Sequence, residues 1–215
     1  MNIQIPTELN DITLEQYQAF DIINNNEQEQ EFKLHKTISI FTDVDMETVA
    51  KFPMKDAEEI AEDILSVLEQ NNPFNRFFTL DGVKYGFIPS LEDISLGEYI
   101  DLEDGLKDTK SFHKAAAVMF RPIVKQYGDL YTIEPYTATL DNMELMKKAP
   151  LGSVTGAVVF FWSIVNELQR VSPRYLKKSM KENKDILEKT NLPVNTDGLT
   201  AYSHLVEVIS QNITK

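Results

Sequence analysis

The chain repeats itself, and that repetition constrains its fold more than any other feature. Residues 5–17 read Ile-Pro-Thr-Glu-Leu-Asn-Asp-Ile-Thr-Leu-Glu-Gln-Tyr, and residues 88–99 read Ile-Pro-Ser-Leu-Glu-Asp-Ile-Ser-Leu-Gly-Glu-Tyr. With one residue dropped, the two share Ile-Pro, Leu, Asp-Ile, a hydroxyl residue, Leu and Tyr. A second echo pairs residues 35–41, His-Lys-Thr-Ile-Ser-Ile-Phe, with residues 113–120, His-Lys-Ala-Ala-Ala-Val-Met-Phe. A third pairs Met46-Glu-Thr-Val-Ala-Lys-Phe-Pro53 with Met143-Glu-Leu-Met-Lys-Lys-Ala-Pro150. Three matches in one order point to a duplicated supersecondary unit.

Each copy begins as an extended segment, a proline corner and a short amphipathic helix ending near Tyr17 or Tyr99. Asp11 or Thr13, and Asp93 or Ser95, are the caps available to those helices. Each copy closes on a longer helix, roughly residues 55–70 and 151–169. Asp81-Gly82, set between apolar residues, predicts a two-residue hairpin over residues 77–88. Asn2-Ile-Gln-Ile-Pro6 is a candidate third strand beside it. The expected fold is mainly α: a tandem duplicated helical module with a small β-hairpin or sheet and a helical C-terminal tail. The modules span residues 1–72 and 73–170, followed by a basic helical extension over 171–215.

The copies differ in character. The helix near residues 56–68 places Ile60, Ile64, Leu65 and Leu68 among acids, as an amphipathic surface helix does. Its counterpart, residues 154–165, is apolar all round, as expected of a buried central helix. Residues 149–166 carry no charge and reach the lower length limit of a membrane span, but Pro150, Gly152, Ser153, Thr155, Gly156 and Ser163 favour a core helix. Charge is divided too. Residues 1–108 hold 24 acidic and 7 basic side chains, a net of −17, whereas residues 109–215 hold 10 and 14, a net of +4. The acidic half would repel phosphate, which argues against a nucleic-acid partner. The basic run Arg170, Arg174, Lys177, Lys178, Lys181 and Lys184 reads as a solvated face or one paired with the acidic half, because no aromatics interleave with it. A final amphipathic helix is expected over about residues 199–213.

Candidate chemistry is sparse. The chain has no cysteine, so thiolate nucleophiles, cysteine zinc sites and disulfides are excluded, and a reducing compartment is expected. The first residues show no secretion-signal pattern. His35, His113 and His204 are far apart, and no spacing sets two metal ligands on one helical face. Asp43-Val-Asp-Met-Glu47 begins like a calcium loop but lacks the sixth-position glycine and the twelfth-position glutamate. Glu58, Glu59, Glu62 and Asp63 cluster on one solvated face, without the unlike environments an acid–base pair needs. No phosphate loop, dinucleotide fingerprint or nucleophile elbow is present. No catalytic residue, metal ligand or cofactor is therefore expected. The aromatics Tyr85, Phe87, Tyr127, Tyr131 and Tyr136 read as hairpin and core packing, or as the lining of a peptide groove.

Two stretches carry a family resemblance. Residues 40–49, Ile-Phe-Thr-Asp-Val-Asp-Met-Glu-Thr-Val, followed by the acidic helix, resemble the helical core of tail assembly chaperones of tailed bacteriophages. Leu96-Gly-Glu-Tyr-Ile-Asp-Leu-Glu103 with Phe120-Arg-Pro-Ile123 resembles segments of phage virion-morphogenesis proteins. The resemblance implies a non-enzymatic helper in the bacterial host cytoplasm that shields an apolar tape-measure protein or another tail or baseplate component. A stable virion subunit of the neck, tail or baseplate, able to form homo-oligomers, is the alternative. The partner-binding candidates are Ile60, Ile64 and Leu68 on the acidic helix and Tyr85 and Phe87 on the hairpin. Neither nucleic acid nor membrane is an expected partner.

Overall fold

The computed structural model describes residues 3–70 and 73–163. The basic run from Arg170, the helix expected over residues 199–213, His204 and the end of the long apolar helix lie outside these residues. The chain divides into two compact units, residues 1–158 and 159–215. Among its described residues the first holds eight helical segments and a small sheet. They are α1 (Leu14–Asn24), α2 (Gln30–Thr42), α3 (Met46–Val49), α4 (Met54–Leu68), α5 (Leu96–Leu106), α6 (Phe112–Met119), α7 (Leu140–Leu145) and α8, helical from residue 151.

The first repeated segment adopts the same local structure in both places. A 3-10 turn forms at Leu9–Asp11 and again at Leu91–Asp93. A buried or half-buried isoleucine follows, and then a hydroxyl N-cap. Thr13 caps α1, accepting from the Gln16 amide at 3.2 Å while the Gln16 side chain accepts from Thr13 N at 2.9 Å. Ser95 caps α5 through the same reciprocal box with Glu98, at 3.3 and 2.8 Å. These boxes satisfy amides that have no partner inside the helix. They also correct one expectation: each helix begins at the cap and runs 11 residues, so Tyr17 and Tyr99 lie in its first turns rather than at its end. Thr13→Ala and Ser95→Ala should each lower stability by about 1 kcal/mol in urea unfolding. The Ser95 change should cost more, because its hydroxyl also holds the buried Glu98 carboxylate at 2.7 Å.

Helix α2 ends at Asp43, whose φ of 55° places it in the left-handed region that terminates helices. Asp45 then caps α3, its carboxylate accepting from the Thr48 amide at 2.9 Å and the Thr48 hydroxyl at 2.7 Å. The acidic run that begins like a calcium loop is thus a helix stop followed by a helix start. Along α4, Ala57, Ala61, Ile64 and Val67 form a buried stripe, and α4 packs on α2. Glu58, Glu59, Glu62 and Asp63 face solvent, as the amphipathic pattern requires.

The sheet has four antiparallel strands in the order β1 (Phe77–Leu80), β2 (Val83–Phe87), β3 (Phe120–Tyr127) and β4 (Leu130–Ile133). Asp81 and Gly82, with φ of 48° and 79°, make the expected turn between β1 and β2. The remaining strands differ from expectation. Residues 3–7 form no strand, and the sheet is completed by 120–133 instead. The apolar helix that carries His113 stops at Met119, and Phe120 opens β3.

The two ends of the described unit are tied through the backbone. Leu14 N donates to Ala149 O at 3.0 Å and Leu151 N to Ile12 O at 2.8 Å, so the starts of α1 and α8 brace each other. Ile12, Leu14, Met119, Phe120, Leu151 and Val154 are all fully buried. Residues 151–158 of α8 are buried apart from Thr155, but Val159 is 68% exposed, so the helix is not buried all round as the apolar pattern predicts. No helix among the described residues is long and apolar enough to cross a membrane.

Candidate functional site

The five residues nominated from sequence fall mostly inside the molecule. Ile64 is fully buried, and Tyr85 and Phe87 are 6% and 4% exposed. Phe78 stacks on Tyr85 with ring centroids 5.3 Å apart, and Phe87 meets Phe120 edge-on at 5.5 Å. Ile60 packs at the margin of the core built by Ile38, Val49 and Ala57, and Leu68 is half-buried. The structure therefore does not gather the five into one exposed surface. Of the other aromatics, Tyr131 lies over Gly86, donates to Phe87 O at 2.5 Å and meets Phe77 edge-on. Tyr136 belongs to a polar cluster, and Tyr127 is exposed.

That cluster is the strongest electrostatic feature described. Arg121, at the start of β3, pairs with Glu98 on α5 at 2.8 Å, with the two side chains 13% and 9% exposed. Burial acts to raise the Glu98 pKa, but hydrogen bonds from Ser95 and the Arg121 charge outweigh it and leave the carboxyl below its usual range. The Arg121 guanidinium lies 6.0 Å from the centre of the Tyr136 ring, within cation–π range. The Tyr136 hydroxyl donates to Asp101 at 2.7 Å, and burial followed by Asp101 raises its pKa. Every oxygen of Glu98 is engaged: Oε2 receives Ser95 and Oε1 receives Arg121. A carboxylate held this way is a structural staple between a helix cap and a strand.

Sequence reasoning nominated neither Glu98 nor Arg121. A signal was present, since both lie in the stretches that carry the second resemblance, which the fold brings together. The capping box of α1 makes a parallel connection. Gln16, the counterpart of Glu98 in the capping box, donates to Ile40 O on α2 at 3.0 Å. In both places the third residue of the capped helix thus reaches the end of the next helix or the residues just after it.

Beside the cluster lies a cleft of about 40 Å³ lined by Tyr85, Arg121, Glu134, Asn142 and Met146, among others. It is far below the roughly 300–1,000 Å³ of ordinary ligand pockets. Arg121 Nε is buried without a partner among the described residues. No group of three metal-ligating side chains converges among the described residues.

The exposed apolar side chains have a different distribution. Residues 124–130, the distal part of the β3–β4 hairpin, are all exposed. Val124 is 57%, Tyr127 79% and Leu130 79% exposed. On α5, Leu96 and Ile100 stand one helical turn apart at 73% and 48%. Three residues, 43–45, join α2 to α3, whereas residues 120–139, which hold the hairpin, separate α6 from α7. No family model, curated protein or solved structure matches the chain.

Proposed function

We propose that this chain is a non-enzymatic assembly protein of a tailed bacteriophage, built on a duplicated helical module, that binds an apolar structural partner. The expected partner is the tape-measure protein or another tail or baseplate component, engaged in the host cytoplasm. The observation that carries this reading is the hairpin arm, where Val124, Tyr127 and Leu130 stand 57–79% exposed on a chain of net charge −13. Exposed apolar side chains grouped on one projection mark an interaction surface. The excess of acid, concentrated in residues 1–108, keeps a complex with a sticky partner soluble.

The duplication is supported by the matched 3-10 turns, capping boxes and helix lengths of the first repeated segment. Its functional consequence is a division of labour. The first copy keeps a closed, acidic helical surface, and the second carries the insertion that forms the arm. Contact through Val124, Tyr127 and Leu130, rather than through Ile64, Tyr85 or Phe87, leaves the core undisturbed.

Mass spectrometry of purified phage particles separates a transient helper from a permanent component. The helper reading expects the partner in particles and this chain absent from them. Recovery of the chain at the stoichiometry of a structural subunit would overturn the helper role in favour of a virion part.

A further inference from the structure

His113 is 8% exposed in α6, and Gln18 is 7% exposed in α1. The Gln18 side-chain nitrogen donates to Thr109 O at 2.8 Å and meets His113 Nδ1 at 3.2 Å. The first bond fixes which way the amide faces, because a carbonyl can only accept. The amide therefore offers its second N–H to the imidazole, and Nδ1 must be the unprotonated, accepting nitrogen. We propose that Gln18 and His113 form an acid-sensitive latch that loosens α1 from α6 when the imidazole takes up a proton.

A proton from solvent would occupy the Nδ1 lone pair and set one donor against another. Turning the Gln18 amide over would present its oxygen to the new N–H, but would also set that oxygen against Thr109 O. Either orientation loses one of the two bonds. The contact between Gln18 and His113 is thus satisfied only with the ring neutral, against the Lys110 main chain and Glu144, which favour the protonated ring. His35, at the equivalent place in the first copy, is half-buried in α2 and has no such partner among the described residues.

The groups facing the ring are few. Glu144 on α7 lies 4.0 Å from Nε2, Lys147 follows in the turn after α7, and Lys114 is the next residue of α6. The turn before α6 contributes the Lys110 main-chain carbonyl, a hydrogen-bond acceptor that favours the protonated ring, and α1 contributes the neutral amide. Burial, followed by Lys147, lowers the His113 pKa against the pull of Glu144. A folded pKa below the ordinary 6.5 means that the His113 contribution is fully present above that value and is lost as pH falls through the lower one.

Urea unfolding of the full chain at about pH 7.5 and about pH 5.5 tests this, with His113→Asn and Gln18→Glu as variants. The asparagine side chain of the first variant retains an acceptor for Gln18 but cannot be protonated. The wild-type unfolding constant should rise by up to about tenfold per pH unit below the ordinary value, relative to His113→Asn. Protection factors over residues 14–24, corrected for the slower intrinsic amide exchange in acid, should fall at the lower pH in the wild type alone. Gln18→Glu replaces the donor with a carboxylate that pairs with the imidazolium, so its acid dependence should be weaker than wild type or reversed. Equal acid loss in wild type and His113→Asn would overturn the latch. So would a His113 proton-resonance titration at or above 6.5, which remains decisive if either variant fails to fold.

Discussion

Arg121→Ala should lower the unfolding free energy by about 3–5 kcal/mol, the usual cost of removing one partner from a buried ion pair. The change strands Glu98, whose side chain is only 9% exposed. It also removes the cation facing the Tyr136 ring and the link from α5 to β3. The pair as a whole is a weaker source of stability than its disruption suggests, because both charges are desolvated. The double variant Glu98→Gln with Arg121→Met should therefore recover much of the loss. Glutamine keeps the oxygen that Ser95 requires, as Gln16 does for Thr13 at the start of α1. Urea unfolding of the single and double variants reads both effects. A loss of less than about 1 kcal/mol for Arg121→Ala would place the pair in solvent.

Gly105→Ala should be destabilising by about 2 kcal/mol or more, although alanine is the better helix former by about 1 kcal/mol. A Cβ at this position would lie 2.4 Å from Ala115 N and 2.9 Å from both Ala115 Cα and Cβ. Two of these three atoms are backbone, so α5 and α6 would have to separate rather than a side chain turn aside. Adding Ala115→Gly removes only the Cβ contact and should rescue the variant in part. A gain in stability for Gly105→Ala, read by thermal unfolding, would contradict the close approach of the two helices.

The parts of this fold that the sequence discloses are those governed by local chemistry. Asp81-Gly82 specifies its turn because its positive φ values suit few other residue pairs. Thr13 and Ser95, each followed three residues later by Gln or Glu, mark helix starts. The α4 stripe follows from a 3.6-residue period with acids on the opposite face. What was missed depended on partners distant in sequence. Residues 120–127 alternate poorly and contain Pro122, which argues against an interior strand. Pro122 has no N–H to give the ladder, but its carbonyl accepts from Glu134 N at 2.9 Å. Tyr127-Gly128-Asp129-Leu130 did carry a two-residue hairpin signal, and Gly128 has the positive φ such a turn uses. The apolar run leading from His113 into Phe120 obscured it by reading as one helix.

The candidate site was less legible than the fold. Tyr85, Phe87 and Ile64 are apolar residues on amphipathic elements, and nothing in one strand or helix says whether its apolar face meets the core or a partner. Burial resolved that question toward the core. The Glu98–Arg121 pair required α5 and β3 to be brought together over 23 positions of sequence, counted from 98 to 121. The arm became visible as a surface only once β3 and β4 were paired and their distal residues were seen to be uncovered.

The most direct test is affinity capture from cells that express the chain, or from host cells infected with the tailed phage that the proposal implies, comparing the wild-type chain with a Val124→Ser, Tyr127→Ser, Leu130→Ser variant. All three side chains are exposed, so the variant should unfold in urea as the wild type does. The proposal expects wild-type bait to recover a tape-measure, tail or baseplate protein, identified by mass spectrometry, and the variant to lose it. Equal recovery by both baits would contradict binding through the arm, and recovery of only ribosomal or metabolic proteins would contradict the assembly role itself.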